Sequence, residues 1–358
     1  MKKSNTTIIC LSPNSGGMEM DAIKLAKKLS PYTQVVLIAK ENSFIANARD
    51  SYVGHNNILL ETISFRSMLS FSIIFHVRKI IKMYNIKNVI FFGASELKSL
   101  YFSFLGLNIN LIIRHGTTKT KSKKDWFHRL IYNNVDYHIA ISKHIRENVL
   151  HIIPFGKKTK DYIIYPSIDN ILSKQNTNIS KDIKLLHTGR ITQGKGQIDA
   201  IMACKILVEN NIDFCFNIVG GYENNKEEKD FLNFYNSISY KKNINIVGFT
   251  DNVVAFLESS DIFIFPSHGE GFGNSFAEAL AYGLVCISYD NTTFKEFKEL
   301  GFYMHIVENK NLVELEKTLL YITENLVQEK IKTHKNRELI KNIFDEKSEI
   351  KKYLDILK

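Results

Sequence analysis

Along the chain, short apolar runs alternate with longer segments in which apolar residues recur every three or four positions. Residues 6–11 (TTIICL), 34–39, 88–93, 110–116 and 137–142 read as buried strands, and 162–166 follows in the same style. Between them, 20–29 (MDAIKLAKKL) and 75–84 (FHVRKIIKMY) have helical spacing. Residues 167–181 are polar and aperiodic, which predicts a linker. The alternation then restarts with strands over 183–189, 214–221, 244–249, 261–267 and 284–290, and closes on helical patterns over 312–326 and 336–357. Strands alternating with helices predict parallel sheets, so the expected class is α/β with two doubly wound halves in tandem. The predicted boundaries are 1–170 for the first domain and 171–340 for the second, with 341–358 left as a terminal helix.

A chain of 358 residues with 44% hydrophobic residues suits two ordinary globular domains. No apolar run is long enough to span a bilayer, and the N-terminal segment reads as a first strand rather than a signal peptide. Cys10, Cys204, Cys215 and Cys286 lie in apolar contexts without paired spacing, so they read as buried thiols, as in a cytoplasmic protein. The net charge of +10 is uneven: residues 1–170 hold 24 Lys and Arg against 11 Asp and Glu, and the remainder 23 against 26. The first half is thus expected to face something anionic.

In doubly wound sheets, ligands bind where loops leave the carboxyl ends of strands. Four such loops carry candidate chemistry. The first, 11–21, contains Gly16 and Gly17, which would let backbone N–H groups approach a ligand; it lacks the G-x-G-x-x-G dinucleotide fingerprint. The second, 187–197 (HTGRITQGKGQ), places Arg190 and Lys195 among glycines, where they could close on a diphosphate. The third, 246–253, offers Gly248 and Phe249 for the edge of a base. The fourth, 266–283 (PSHGEGFGNSFAEALAYG), sets Glu270 in a glycine loop and Glu278 in the helix behind it. Asn274 or Ser275 is expected to cap a helix beginning near Phe276, whose N-terminus with Gly271, Phe272 and Gly273 makes an anion site. A carboxylate at Glu278 can accept two hydrogen bonds from a vicinal diol such as ribose, and Glu270 can reach the hydroxyls of a bound sugar.

G-R-x-x-x-x-K-G at 189–196, paired with E-G-F-G-x-x-x-x-E-A at 270–279, resembles the retaining glycosyltransferases of family four. The resemblance spans nearly the whole chain and implies the GT-B fold, with two Rossmann-like domains, a cleft between them and a terminal helix crossing back to the first domain. It implies that Arg190 and Lys195 neutralise the departing diphosphate, that Glu278 holds the ribose and that Glu270 holds the donor sugar. The family's P-N-G-x-D before the second domain is here Tyr165-Pro166-Ser167-Ile168-Asp169, without the glycine, so the hinge is expected to differ. Asn274-Ser275 after G-F-G resembles the subset that uses UDP-hexoses or UDP-N-acetylhexosamines. The D-x-D metal clamp of the other major glycosyltransferase fold is absent from the sequence, and metal-independent transfer without a cofactor is expected.

His115, on the loop after a first-domain strand, is by the same resemblance a candidate near the donor sugar. Downstream, Lys119, Lys121, Lys123, Lys124 and Arg129 accompany Trp126, a combination suited to an anionic membrane surface that presents a glycan or lipid-linked acceptor. It would also suit an RNA backbone, but no standard RNA motif is present, so no nucleic acid is expected. The expected function is transfer of a hexose or N-acetylhexosamine to a lipopolysaccharide core, O-antigen or capsule precursor at the inner face of the plasma membrane. Two alternatives compete. A nucleotide-sugar epimerase of the same fold would need groups for proton abstraction, and a nucleic-acid-binding protein would leave the paired glutamates without a purpose.

Overall fold

A computed structural model describes residues 4–14, 16–48, 57–67, 69–93, 95–168 and 182–357. It divides into two compact units, Met1–Pro166 with Glu346–Lys358, and Ser167–Asp345. Most of the linker expected over 167–181, including Asp169, lies outside the described residues.

The first unit begins with β1 (Thr6–Cys10), α1 (Gly17–Leu29), β2 (Val35–Lys40), α2 (Phe44–Asn47) and β3 (Ile58–Ile63). It continues with α3 (Phe71–Met83), β4 (Asn88–Phe92), α4 (Leu97–Phe104), β5 (Asn110–His115), α5 (Trp126–Tyr132), β6 (Tyr137–Ala140), α6 (Lys143–Ile152) and β7 (Lys160–Ile163). The second unit runs β8 (Ile183–Thr188), α7 (Gln197–Ala203), α8 (Lys205–Glu209), β9 (Phe214–Val219), α9 (Asn225–Ser237), β10 (Ile244–Gly248) and α10 (Val253–Ser259). Then follow β11 (Ile262–Phe265), α11 (Asn274–Ala281), β12 (Val285–Tyr289), α12 (Thr292–Glu299), β13 (His305–Val307), α13 (Leu312–Glu324) and α14 (Leu326–Ile343). The last helix, α15 (Glu346–Ile356), belongs to the first unit.

The strand orders are β3-β2-β1-β4-β5-β6-β7 and β10-β9-β8-β11-β12-β13, with parallel pairing throughout. Helices cover both faces of such sheets, which is why every residue of β1, β4 and β12 is buried and most are apolar. Each order reverses once, between β1 and β4 and between β8 and β11. The loops after β8 and β11 therefore leave the second sheet side by side at its switch point.

Three expectations are corrected. The strand expected over 162–166 is β7 at Lys160–Ile163, an edge strand whose alternating exposure lets charged residues into the ladder. The boundary falls at Pro166/Ser167 rather than 170/171. The return to the first unit begins at Glu346 rather than 341, because α14 and Phe344 pack in the second unit. Phe344 lies 5.0 Å from the Phe272 ring and 5.6 Å from Phe302. The helix expected over 336–357 is accordingly two helices. In the second of these, Tyr353, Ile356 and Leu357 are buried in the first core, each side chain of this size contributing about 1.5–3 kcal/mol. Asn110 Nδ2 also donates to the Ile356 carbonyl at 2.7 Å, and Lys28 pairs with Glu349 at 3.1 Å.

Candidate active site

The chemistry of the second unit gathers on the loops after β8 and β11. Gly196 has φ +75, and a Cβ there would lie 2.0 Å from the Pro266 carbonyl oxygen. Only glycine lets the two loops touch at this point. His268 N and Ser267 Oγ both donate to the Gly194 carbonyl, at 2.9 and 3.1 Å. From beneath, His187 Nε2 lies 2.9 Å from the Lys195 carbonyl. Burial lowers the His187 pKa to about 4, so the ring is neutral and its Nε2 proton is the one donated.

This docking brings Lys195 Nζ within 2.6 Å of Glu270 Oε1, which also accepts from Ser267 Oγ at 2.9 Å. Glu270 N donates to Thr292 Oγ1 at 3.0 Å, and Asn291 Nδ2 donates to the Ser267 carbonyl at 2.8 Å. Arg190 points elsewhere: its Nη1 meets Glu223 Oε1 at 2.8 Å. The structure thus joins Lys195 with Glu270, and Arg190 with the loop after β9. Ile191 and Tyr222 form a parallel bridge between those loops, and Gly220 allows it, since a Cβ there would lie 2.1 Å from the Gly189 carbonyl oxygen.

Helix α11 starts two residues earlier than expected. Gly273, at φ +82, is the N-cap and has no side chain with which to cap the first turn. A left-handed residue turns the chain into the helix here, so Asn274 and Ser275 occupy its first two positions. Their backbone lies at the positive end of the helix dipole. Glu278 is half-buried within the same helix. Phe272, expected among the ligand contacts, is 3% exposed and packs on Phe297 and Phe344, bracing the loop from behind. Gly271 lies between Glu270 and this anchor.

At the third loop, Gly248 has φ +78 and Phe249 is 78% exposed beside Gly221. In the first unit, Gly16 is the N-cap of α1 with extended backbone, and a Cβ on Gly17 would meet nothing within 4 Å. Gly17 thus leaves open space rather than relieving strain. His115 ends β5 rather than lying on the loop, and is 2% exposed. Its Nε2 is 2.8 Å from His138 Nδ1, and burial first, then His138, holds its pKa well below the ordinary value. Sequence reasoning missed Ser267, Thr292, Asn291, Glu223 and His187 as supports. The post-strand position of the first four was the available signal, whereas His187 lies within β8 itself.

Residues 169–342 match the family model described as Glycosyl transferases group 1. The chain is 26% identical over 357 residues to the capsular polysaccharide biosynthesis glycosyltransferase CapH of Staphylococcus aureus, covering 91% of this chain and 95% of that protein. It is 22% identical over 332 residues to CapM of the same organism, with 91% and 80% covered. The crystal structure of Anabaena Alr3699/HepE in complex with UDP-glucose superposes with a TM-score of 0.82 at 15% identity, covering 99% of this chain and 100% of that one. The chain has the GT-B fold, and its second unit matches the glycosyltransferase family model. The matched family segment contains all of β8 and runs into α14, so Lys195, Glu270, Glu278 and Arg190 all lie inside it. Among the described residues, no helix is long and apolar enough to cross a membrane.

Proposed function

We propose that the protein transfers a hexose or N-acetylhexosamine from a UDP-sugar to a surface-polysaccharide precursor, with retention and without a metal ion. The observation that carries this reading is the meeting of Lys195, Ser267 and Glu270 beside the N-terminus of α11. That arrangement offers a cation and a helix dipole to a diphosphate, and a carboxylate to the adjoining sugar. Glu278 is assigned to the ribose hydroxyls, Phe249 and Gly248 to the base, and Gly16 and Gly17 to the approach of the donor. Arg190 would exchange Glu223 for the diphosphate. The UDP-glucose complex of the Anabaena protein supports the choice of donor, and the names of CapH and CapM support the class of product.

In the proposed step the acceptor hydroxyl oxygen bonds to the anomeric carbon on the face from which UDP departs. The bond from that carbon to the β-phosphate oxygen breaks, and the hydroxyl proton passes to the departing phosphate. Lys195 and the helix N-terminus stabilise the charge that develops on UDP. The first unit is assigned the acceptor, and exposed Lys121, Lys124, Trp126 and Arg129 the anionic membrane surface, at its cytoplasmic face.

Thermal-shift measurement across nucleotide sugars tests the donor, because ligand binding to the folded state raises the melting temperature by mass action. A UDP-sugar is expected to give the largest shift, and turnover with it is expected to survive excess EDTA. Activity lost to EDTA and restored by magnesium or manganese would overturn the metal-independent reading.

A further inference from the structure

The basic stretch after β5 holds two kinds of lysine. Lys121 and Lys124 are exposed, as are Arg129 and Trp126, whereas Lys119 and Lys123 are half-buried. The backbone that carries the buried pair is clasped to α6. Lys119 N donates to Asn148 Oδ1 at 2.9 Å, and Asn148 Nδ2 donates to the Lys119 carbonyl at 2.9 Å. Lys123 N donates to the Ile152 carbonyl at 2.8 Å, and Thr118 Oγ1 lies 2.9 Å from His144 Nε2. The fold therefore places the backbone of both lysines, and Lys123 Nζ lies 6.0 Å from the centre of the Tyr132 ring.

Their surroundings are short of negative charge. Lys98 acts on Lys123, Lys123 acts on Lys119, and Glu96 is the acid that acts on both. Burial and then Lys123 push Lys119 down to about 8; burial and then Lys98 push Lys123 down. Beneath them lies the neutral pair His115 and His138, with His115 Nδ1 and His138 Nε2 buried and without a hydrogen-bond partner among the described residues. Holding two cations half out of water beside a third is costly unless an anion offsets them. Lys119 and Lys123 sit on the loop after β5 and Lys98 in the first turn of α4, which follows β4, beside the switch point of the first sheet, where doubly wound folds bind ligands.

We infer that Lys119 and Lys123, with Lys98 at the rim, form an anion site for a phosphate or diphosphate ester, distinct from the donor diphosphate site of the second unit. Two lysines as point charges match the charge of a diphosphate diester. The assignment rests on the transferase reading in naming the ligand: the site would take the phosphate that an acceptor glycan carries, or the headgroup of the lipid around it.

Brief acetylation of the full chain with an amine-reactive ester, read residue by residue by peptide mass spectrometry, tests it. The readout is residue by residue, so UDP, itself a diphosphate ester, is left out of the acetylation, and UDP binding is measured separately by calorimetry. Inorganic pyrophosphate, phosphatidylglycerol vesicles and phosphatidylcholine vesicles are compared. Lys119 and Lys123 are expected to be protected about tenfold at roughly ten times Kd, the factor 1 + [L]/Kd, while Lys121 and Lys124 keep their rates with pyrophosphate. Protection by pyrophosphate identifies a diphosphate anion as sufficient without lipid. Protection by phosphatidylglycerol alone identifies the lipid headgroup, and either supports the site. Unchanged rates at Lys119 and Lys123 in all arms would overturn it, as would equal protection of all four lysines by pyrophosphate. Failure of UDP to bind would instead count against the donor reading.

Discussion

Replacing the two halves of the Lys195–Glu270 pair separately distinguishes their roles. The ammonium and carboxylate are 2.6 Å apart, with side-chain exposures of 32% and 10%. A hydrogen bond to a charged group contributes about 1.5–3 kcal/mol, so Lys195→Ala should weaken UDP binding by about 10- to 150-fold. The expected loss is toward the upper end, because the substitution also leaves the Glu270 carboxylate facing the diphosphate without its cation. Glu270→Gln acts in the opposite sense. The amide is isosteric, its oxygen can still accept from Ser267, and Lys195 is released to the phosphates. UDP affinity should hold or rise, while kcat falls by about 10²–10³, the cost of removing one group aimed at developing charge. The double variant should bind UDP more tightly than Lys195→Ala alone. Calorimetric titration with UDP and initial rates with the donor sugar read both effects. If Glu270→Gln weakens UDP as much as Lys195→Ala does, the carboxylate serves to hold the lysine, and its assignment to the sugar is wrong.

Three further outcomes are expected. Gly196→Ala forces a left-handed non-glycine residue and a 2.0 Å contact with the Pro266 carbonyl oxygen, so it should destabilise the protein by at least about 1–3 kcal/mol and weaken UDP binding. Unchanged urea unfolding would show that the loops do not depend on this contact. Burial holds the pKa values of His115, His138 (about 3) and His187 (about 4) below the unfolded value of roughly 6.5. The unfolded chain therefore binds more protons than the folded one below about pH 6.5. Stability should be intact above that pH and fall as pH drops toward 4, by up to ~1.4 kcal/mol per pH unit for each histidine. A urea midpoint equal at pH 7.5 and 5.5 would contradict this. Finally, each basic residue near an anionic membrane contributes about 1 kcal/mol, screened by salt. Lys121, Lys124 and Arg129 changed together to Glu should release the protein from anionic vesicles in flotation; recovery equal to the parent would show that this surface is not the anchor.

Local sequence was sufficient wherever a strand is buried on both faces. The runs around β1, β4, β11 and β12 are predominantly apolar and wholly buried because helices cover both sides of those strands. Spacing also placed Lys195, Glu270 and Glu278 on post-strand loops and the helix that follows. Edge strands were harder to read. β3 carries exposed Leu59 and half-exposed Glu61, and β13 is three residues long; both form because a neighbouring strand supplies a ladder, which no local pattern records. The break between α14 and α15 likewise depends on Phe344 docking among Phe272, Phe297 and Phe302.

Partner choice was decided by the tertiary structure. The sequence presented Arg190 and Lys195 as equal cations on one loop, but the close approach at Gly196 turns Lys195 to Glu270, and the bridge between Ile191 and Tyr222 carries Arg190 to Glu223. It presented Lys119 to Lys124 as one charge run, which the clasp to Asn148 and Ile152 divides into buried and exposed members. His115 stood next to a glycine in the sequence as a loop residue would, yet the register of β5 with β6 carries it into the core against His138. Charge type and loop position are local properties. Which charges meet depends on the packing of segments distant in sequence.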